Sequence, residues 1–232
     1  MAAAAQAPAL VLIDEMMQDL FGELETDRPR QEKLGPGALL LRGRALPVET
    51  PILAALDEIL AKAPFRRMTT PGGFEMSVAM TNCGAAGWVT DRRGYRYDPR
   101  DPVSGEPWPA MPAVLRRLAK EVAAEAGFEG FIPDACLINC YEPGTRLSLH
   151  QDKDERDHRH PVVSVSLGLP AVFQFGGASR GDKTLRVPLI HGDIVVWGGP
   201  SRLFYHGVAA LKEGEHPLLG RRRINLTLRK AL

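Results

Sequence analysis

Cysteine is scarce in this chain: among 232 residues only Cys83, Cys136 and Cys140 occur. An odd number with no C-x-x-C pair excludes a disulfide framework and points to a reducing compartment. Cys136 and Cys140 read as packed thiols rather than ligands, since free cysteine is commonly buried. Net charge is equally slight, at +1. That excludes a protein basic over its whole surface; a nucleic-acid partner would have to be held by a local basic groove. No apolar run approaches the roughly 18 residues of a membrane span. The alanine-rich start, Met1 to Leu12, has no basic region and is cut short by Asp14 and Glu15. Neither a membrane anchor nor a signal peptide is therefore expected. No internal repeat is visible. What remains is a chain long enough to bury a full core in one large domain, expected to be soluble and cytoplasmic.

The front half mixes periodicities. Leu10 to Phe21 suits a short helix or a flexible lead, and Thr26 to Gly37 reads as a polar linker. Ala38 to Leu41 suits a first strand. Pro51 to Ala63 carries a helical stripe of Ile52, Leu53, Leu56, Ile59 and Leu60, with Pro51 near its first turn. Met68 to Asn82 alternates about a Pro-Gly-Gly turn, which suits a hairpin. Gly84 to Pro112 reads as a long irregular loop, where Trp88, Tyr95, Tyr97 and Trp108 alternate with Arg92, Arg93, Arg96 and Arg100. Such loops inside compact domains tend to be functional. Ala113 to Gly127 is an amphipathic helix ended by glycine. From Ala135 onward the pattern becomes strand after strand, with turn signals between. The fold class is therefore α+β: a jelly roll with helices packed outside.

The stretch that organises the chain is Leu147-Ser148-Leu149-His150-Gln151-Asp152-Lys153-Asp154. Residues two apart on a strand point the same way. His150 and Asp152 can thus aim an imidazole and a carboxylate at one point. That is two-thirds of the 2-His-1-carboxylate set that holds non-haem Fe(II) with positions left open. His206, in Leu203-Phe204-Tyr205-His206-Gly207-Val208, is the best third ligand, with His158 and His160 as competitors. The same three groups could hold zinc, and a binding module without catalysis would leave His150 on a solvated loop.

The last strand carries the second signal. Arg223, Asn225, Thr227 and Arg229 fall on one face, and Ile224, Leu226 and Leu228 on the other. Two arginines on an inward face are costly in a plain core. They make sense as clamps for a dicarboxylate, each guanidinium gripping one end. 2-Oxoglutarate is such a dianion, and its keto acid end can chelate iron. Asn139 and Tyr141 share a face of Ala135–Tyr141 and can hydrogen-bond the same ligand. This argues against the zinc alternative.

With those residues stand longer runs: PGGFEMSVAMTNCG, PWPAMP, PDACLINCYEPG, LSLHQDKDE, PVVSVSLGLPAVFQFGG, HGDIVVWGG, SRLFYHGV and RRINLTLR. In this order, from about Phe65 to Arg229, the chain resembles the AlkB family of Fe(II)- and 2-oxoglutarate-dependent dioxygenases, which repair alkylated nucleic-acid bases. The resemblance implies a double-stranded β-helix with an N-terminal nucleotide-recognition lid. It divides the chain into an N-terminal extension, 1–34, and one catalytic domain, 35–232, with the lid at 68–112 and the jelly-roll core at 135–232.

It implies His150, Asp152 and His206 as iron ligands and catalytic centre. Arg223, helped by Tyr141 and Asn225, would hold the distal carboxylate of 2-oxoglutarate, and Arg229 and Asn139 the metal-proximal one. Trp88 and Tyr95 would cover the damaged base, and Asp154 would meet its exocyclic amino group. Arg96, Tyr97 and Arg180 would lie on the substrate side. The implied reaction is oxidative demethylation of 1-methyladenine or 3-methylcytosine, releasing formaldehyde, succinate and CO2. The implied partner is alkylated DNA, single-stranded by preference, with RNA as a further substrate, acted on by a monomer with no membrane contact.

Overall fold

The computed structural model describes residues 30–232, so the helix or lead expected at Leu10 to Phe21 lies outside it. Among the described residues, fourteen strands and two α-helices follow one another: β1 (Gln31–Gly35), β2 (Ala38–Leu41), α1 (Glu49–Lys62), β3 (Arg66–Thr69), β4 (Glu75–Gly84), β5 (Gly87–Asp91), β6 (Gly94–Asp98) and α2 (Ala113–Glu125). Then come β7 (Ala135–Tyr141), β8 (Leu147–His150), β9 (Val162–Gly168), β10 (Ala171–Phe175), β11 (Leu185–Leu189), β12 (Ile194–Trp197), β13 (His206–Val208) and β14 (Arg223–Arg229).

The major sheet has eight strands in the order β1-β2-β12-β9-β14-β7-β4-β3, and the minor sheet four, in the order β11-β10-β13-β8. Every pairing is antiparallel. The two sheets pack as a jelly roll, as the strand pattern indicated.

The alternation along the central strands decides what each face does. Cys136, Ile138 and Cys140 of β7 and Ile224, Leu226 and Leu228 of β14 turn outward. There they pack with Ile52, Leu56 and Ile59 of α1 and Leu115, Leu118 and Val122 of α2. Each such side chain contributes about 1.5–3 kcal/mol on burial, so this layer carries much of the fold's stability. The opposite face of the same strands carries Asn139 and Tyr141, then Arg223, Asn225, Thr227 and Arg229, and all are buried. In register, Arg223 lies opposite Tyr141 and Asn225 opposite Asn139. A face this polar is a wall of a site between the sheets.

Two glycines matter to the geometry. Gly127 follows α2 with φ +87°, a left-handed residue that only glycine adopts without penalty. Phe128 N–H then reaches back to Ala123 O at 2.8 Å and closes the helix end. Gly207 stands between His206 and Val208 in β13. A Cβ there would meet Leu147 O at 2.6 Å, so β8 and β13 come together only because it has none.

Two expectations need correction. Gln31–Gly35, inside the supposed linker, is strand β1 and pairs with β2 at the sheet edge. Its alternation is short and ends in Gly-Pro-Gly, which masked it. The supposed irregular loop after Gly84 contains the hairpin β5–β6, with Asp91 opposite Gly94 across an Arg92-Arg93 turn. That turn lacks the usual Asn-Gly signature; Gly94, at φ +113°, supplies the special backbone instead.

Candidate active site

His150 ends β8 and His206 begins β13, and the two are cross-strand partners. Their rings lie 4.5 Å apart. Each ring is fixed by a main-chain carbonyl two residues before it. His150 Nδ1 meets Ser148 O at 2.9 Å, and His206 Nδ1 meets Phe204 O at 3.0 Å. A carbonyl only accepts, so Nδ1 carries a hydrogen in both rings and Nε2 is the nitrogen turned toward Asp152. His150 Nε2 lies 3.7 Å from Asp152 Oδ1, and His206 Nε2 lies 3.7 Å from Asp152 Oδ2. One donor atom from each of the three residues falls within 4.8 Å of the others; no other group of three among the described residues does so. The competitors turn elsewhere: His158 faces Glu155 at 4.0 Å and His160 faces Asp157 at 3.7 Å.

Electrostatics keep His206 and Asp152 in the forms a cation needs. Burial brings the His206 pKa down to about 4, helped by His150 and opposed by Asp152, so its imidazole is neutral at pH 7. Burial works against the Asp152 charge, but Arg229, then His206 and His150, hold its carboxyl well below the usual range. Trp197 packs edge-on against His206 at 4.9 Å and Phe173 lies 6.0 Å away, so the ring is held in an aromatic cage.

The triad opens into a cavity of about 470 Å³ lined by residues of both sheets. That size suits a small-molecule site. Asn139, Tyr141, Arg223, Asn225 and Arg229 line it. Arg223 is 1% exposed. Its Nη2 donates to Ser166 Oγ at 3.0 Å, and its guanidinium lies 5.1 Å over the Tyr141 ring. Its Nε and Nη1, and the Oδ1 of Asn139, have no hydrogen-bond partner among the described residues. Burial lowers the Arg223 pKa and raises the Tyr141 hydroxyl to about 12. Orphaned buried donors cost about 1–3 kcal/mol each, more when charged. A ligand carboxylate answers both donors, so the residues fit 2-oxoglutarate beside a ferrous ion.

At the mouth, Trp88 and Tyr95 stack with centroids 5.7 Å apart and planes 19° from parallel. Trp88 Nε1 donates to Asp154 Oδ2 at 2.7 Å. Arg180 lines the same cavity, 5.9 Å over Tyr205. Two of the expected substrate residues are not brought there. Alternation in β6 turns Arg96 away from Tyr95, and its guanidinium is spent on Asp91 at 3.0 Å and Asp98 at 3.4 Å. Tyr97 shares the face of Tyr95 but reaches beneath the cavity, donating its hydroxyl hydrogen to Glu155 Oε1 at 2.8 Å. Arg229 is more committed than a free clamp: Nη2 and Nε donate to Asp152 Oδ2 at 2.7 and 3.0 Å. Sequence reasoning missed Glu155 and Arg202, both buried behind the triad. Each lies in a quoted run, LSLHQDKDE or SRLFYHGV, but no periodicity marks it.

A model of the family described as "2OG-Fe(II) oxygenase superfamily" matches residues 39–229. The chain is 56% identical over 215 residues to the alpha-ketoglutarate-dependent dioxygenase AlkB of Salmonella typhimurium, covering 93% of this chain and 98% of that protein. The chain belongs to the AlkB family of 2OG-Fe(II) oxygenases. A Caulobacter vibrioides AlkB homolog, also named an alpha-ketoglutarate-dependent dioxygenase, is 45% identical over 197 residues, covering 84% of this chain and 86% of that protein. Among solved structures, OsALKBH1 superposes with a TM-score of 0.76 at 30% identity, covering 86% of this chain and 99% of that one. Membership makes the chain an iron- and 2-oxoglutarate-dependent dioxygenase and agrees with the jelly roll. No helix among the described residues is long and apolar enough to cross a membrane.

Proposed function

We propose that this chain oxidatively removes N-alkyl groups from nucleic-acid bases, of the 1-methyladenine and 3-methylcytosine type. One observation carries the reading. The Nε2 atoms of His150 and His206 and the Asp152 carboxylate converge where a buried, half-unpartnered Arg223 and a stacked Trp88–Tyr95 pair share one cavity. His150, Asp152 and His206 would hold Fe(II), which three protein ligands leave with open positions. Arg223, Tyr141 and Asn225 would take the distal carboxylate of 2-oxoglutarate, with Asn139 and Arg229 toward the metal-proximal end. When bound, iron and 2-oxoglutarate supply the oxidation of the N-methyl carbon by O2, with succinate and CO2 as co-products and formaldehyde leaving the base.

The chain's own residues select and orient the substrate. The methyl group of these lesions lies on the pairing edge, so the base must be flipped or single-stranded to reach the cavity. Trp88 and Tyr95 would stack on it, worth about 1–3 kcal/mol per base. Asp154 would offset the positive charge of the lesion and accept from its amino group, exchanging its bond to Trp88 Nε1. Arg180 would lie beside the strand, and residues 68–112 would form the recognition segment. Single strands, DNA or RNA, are the easier substrates because no pair has to be opened. The working unit in this reading is a monomer.

The test is formaldehyde release from a 3-methylcytosine oligonucleotide with Fe(II), 2-oxoglutarate and ascorbate. The wild-type chain and His158→Ala should release it, and His206→Ala should not. Turnover that survives His206→Ala but dies with His158→Ala would overturn the ligand set.

A further inference from the structure

Behind the triad lies a buried cluster that ligand binding leaves unexplained. Arg202 donates from Nη1 to the main-chain carbonyl of Asp152 at 2.6 Å and from Nε to that of His160 at 3.0 Å. Its Nη2 lies 3.0 Å from Glu155 Oε2. The other Glu155 oxygen, Oε1, accepts from Tyr97 at 2.8 Å and lies 3.3 Å from Arg229 Nε. Two carboxylates, Asp152 and Glu155, thus face two guanidiniums, Arg202 and Arg229, and all four are under 9% exposed. The cluster is neutral as a whole. Both hydrogen bonds from Arg229 to Asp152 end on one oxygen, Oδ2; Oδ1 accepts none from the described residues.

That one-sided contact is unusual in its consequence. A guanidinium beside a carboxylate normally forms a two-pronged pair with both oxygens. Here such a pair would occupy the oxygen a metal needs. Glu155 stands on the Nε side of Arg229 and offers it a second partner, and Tyr97 fixes the Glu155 oxygen that does so. We infer that Glu155 is a positioning residue for the metal: it holds Arg229 to a single oxygen of Asp152 and, by neutralising Arg202, keeps the Asp152 main chain clamped, so that Oδ1 stays free for the ion. This rests on the reading of His150, Asp152 and His206 as the metal ligands.

The experiment is titration calorimetry of the full chain with Mn(II), without 2-oxoglutarate or nucleic acid, so turnover plays no part. Wild type, His206→Ala and Glu155→Gln are compared, with the fold of each checked by circular dichroism. Glutamine keeps the size and the acceptor for Tyr97 but loses the charge. Wild type should bind, His206→Ala should not, and Glu155→Gln should bind at least threefold more weakly, with a value near tenfold expected. Glu155→Gln binding within threefold of wild type, even with a lowered melting point, overturns the inference while leaving the ligand set intact. Equal binding by wild type and His206→Ala overturns the ligand set itself. Should Glu155→Gln fail to fold, Tyr97→Phe reads the same property: more than a twofold loss of Mn(II) affinity supports the inference, and an unchanged affinity overturns it.

Discussion

Arg223 and Arg229 share a strand face, are both buried, and live in opposite surroundings. Arg229 is answered by the protein itself. Burial works against its charge, yet Asp152, then Tyr97 and Glu155, raise its pKa. Arg223 has a serine hydroxyl and the face of a tyrosine ring, two orphaned nitrogens, and a pKa lowered by burial. Both arginines suit a dicarboxylate clamp when only the sequence is read. The structure separates them: one guanidinium braces the Asp152 carboxylate, while the other keeps two nitrogens without a partner among the described residues. A buried charge that the fold leaves unpaired is the mark of a ligand site, and a buried charge fully paired is the mark of the frame around it.

The largest effect should come from breaking the paired end. Arg229→Met leaves Asp152 without its counter-charge and Glu155 with Arg202 alone. The loss should be about 3–5 kcal/mol of unfolding free energy in urea melts of the metal-free chain. Arg223→Met removes a charge that meets a hydroxyl and a ring face but no carboxylate of the described residues, so the same melts should show no loss, or a gain of roughly 1 kcal/mol. The order reverses when 2-oxoglutarate is added with Mn(II): the rise in melting temperature seen for wild type should vanish in Arg223→Met. Equal destabilisation by the two substitutions would erase the distinction between them.

The same division explains what could be read from the sequence. The period-two pattern of β14 and β7 fixed which face was polar, because the other face is wholly apolar and a one-residue slip would expose it. The His150–Asp152 spacing was legible too, although β8 ends at His150 and Asp152 lies in the loop just beyond it. The partners of those residues were not. Glu155 and Arg202 are brought together by loops that follow β8 and precede β13, and nothing in local periodicity ties positions 47 residues apart. Hairpin β5–β6 was hidden by an Arg-Arg turn, and with it the direction of Arg96. Its side was settled only once the strand placed it opposite Tyr95 and Tyr97. The N-terminal stretch shows the converse: a strand of five residues at a sheet edge, β1, leaves too little alternation to separate it from a linker.

A smaller effect should come from the mouth, which touches neither guanidinium's carboxylate partners. Tyr95 is 51% exposed and makes its main contact by stacking on Trp88. Tyr95→Ala should weaken binding of a 3-methylcytosine oligonucleotide by about 1–3 kcal/mol, roughly 5- to 150-fold, read by fluorescence anisotropy. Affinity for 2-oxoglutarate should not change, since the stack lies away from Arg223. A matching loss of 2-oxoglutarate affinity would mean that the two ends of the cavity are coupled, and the separation between base-facing and cofactor-facing residues would not hold.

The smallest effect separates the triad's histidines from a second pair with nearly the same spacing. His191 and His216 stack at 4.4 Å, but no carboxylate lies between them; Glu49 pairs with His191 Nε2 alone, at 2.5 Å. His191 Nδ1 accepts from Gly168 N–H, and His216 Nδ1 accepts from Leu218 N–H at 3.3 Å, so this pair braces loops rather than sharing an ion. Burial, and then His191, lower the His216 pKa below its ordinary 6.5, with Glu49 opposing. The unfolded chain therefore takes up this proton first as pH falls, so the group's contribution to stability is complete above about pH 7 and declines through the region below 6.5. His216 is partly exposed and solvent screens it, so the decline should be on the order of a few tenths of a kcal/mol. His216→Asn keeps an acceptor for Leu218 N–H but cannot titrate. Urea melts at pH 7.5 and 5.5 should show wild type losing slightly more stability than the variant over that interval. A variant that loses as much as wild type would place the whole acid sensitivity elsewhere in the chain and leave this second pair a purely mechanical brace.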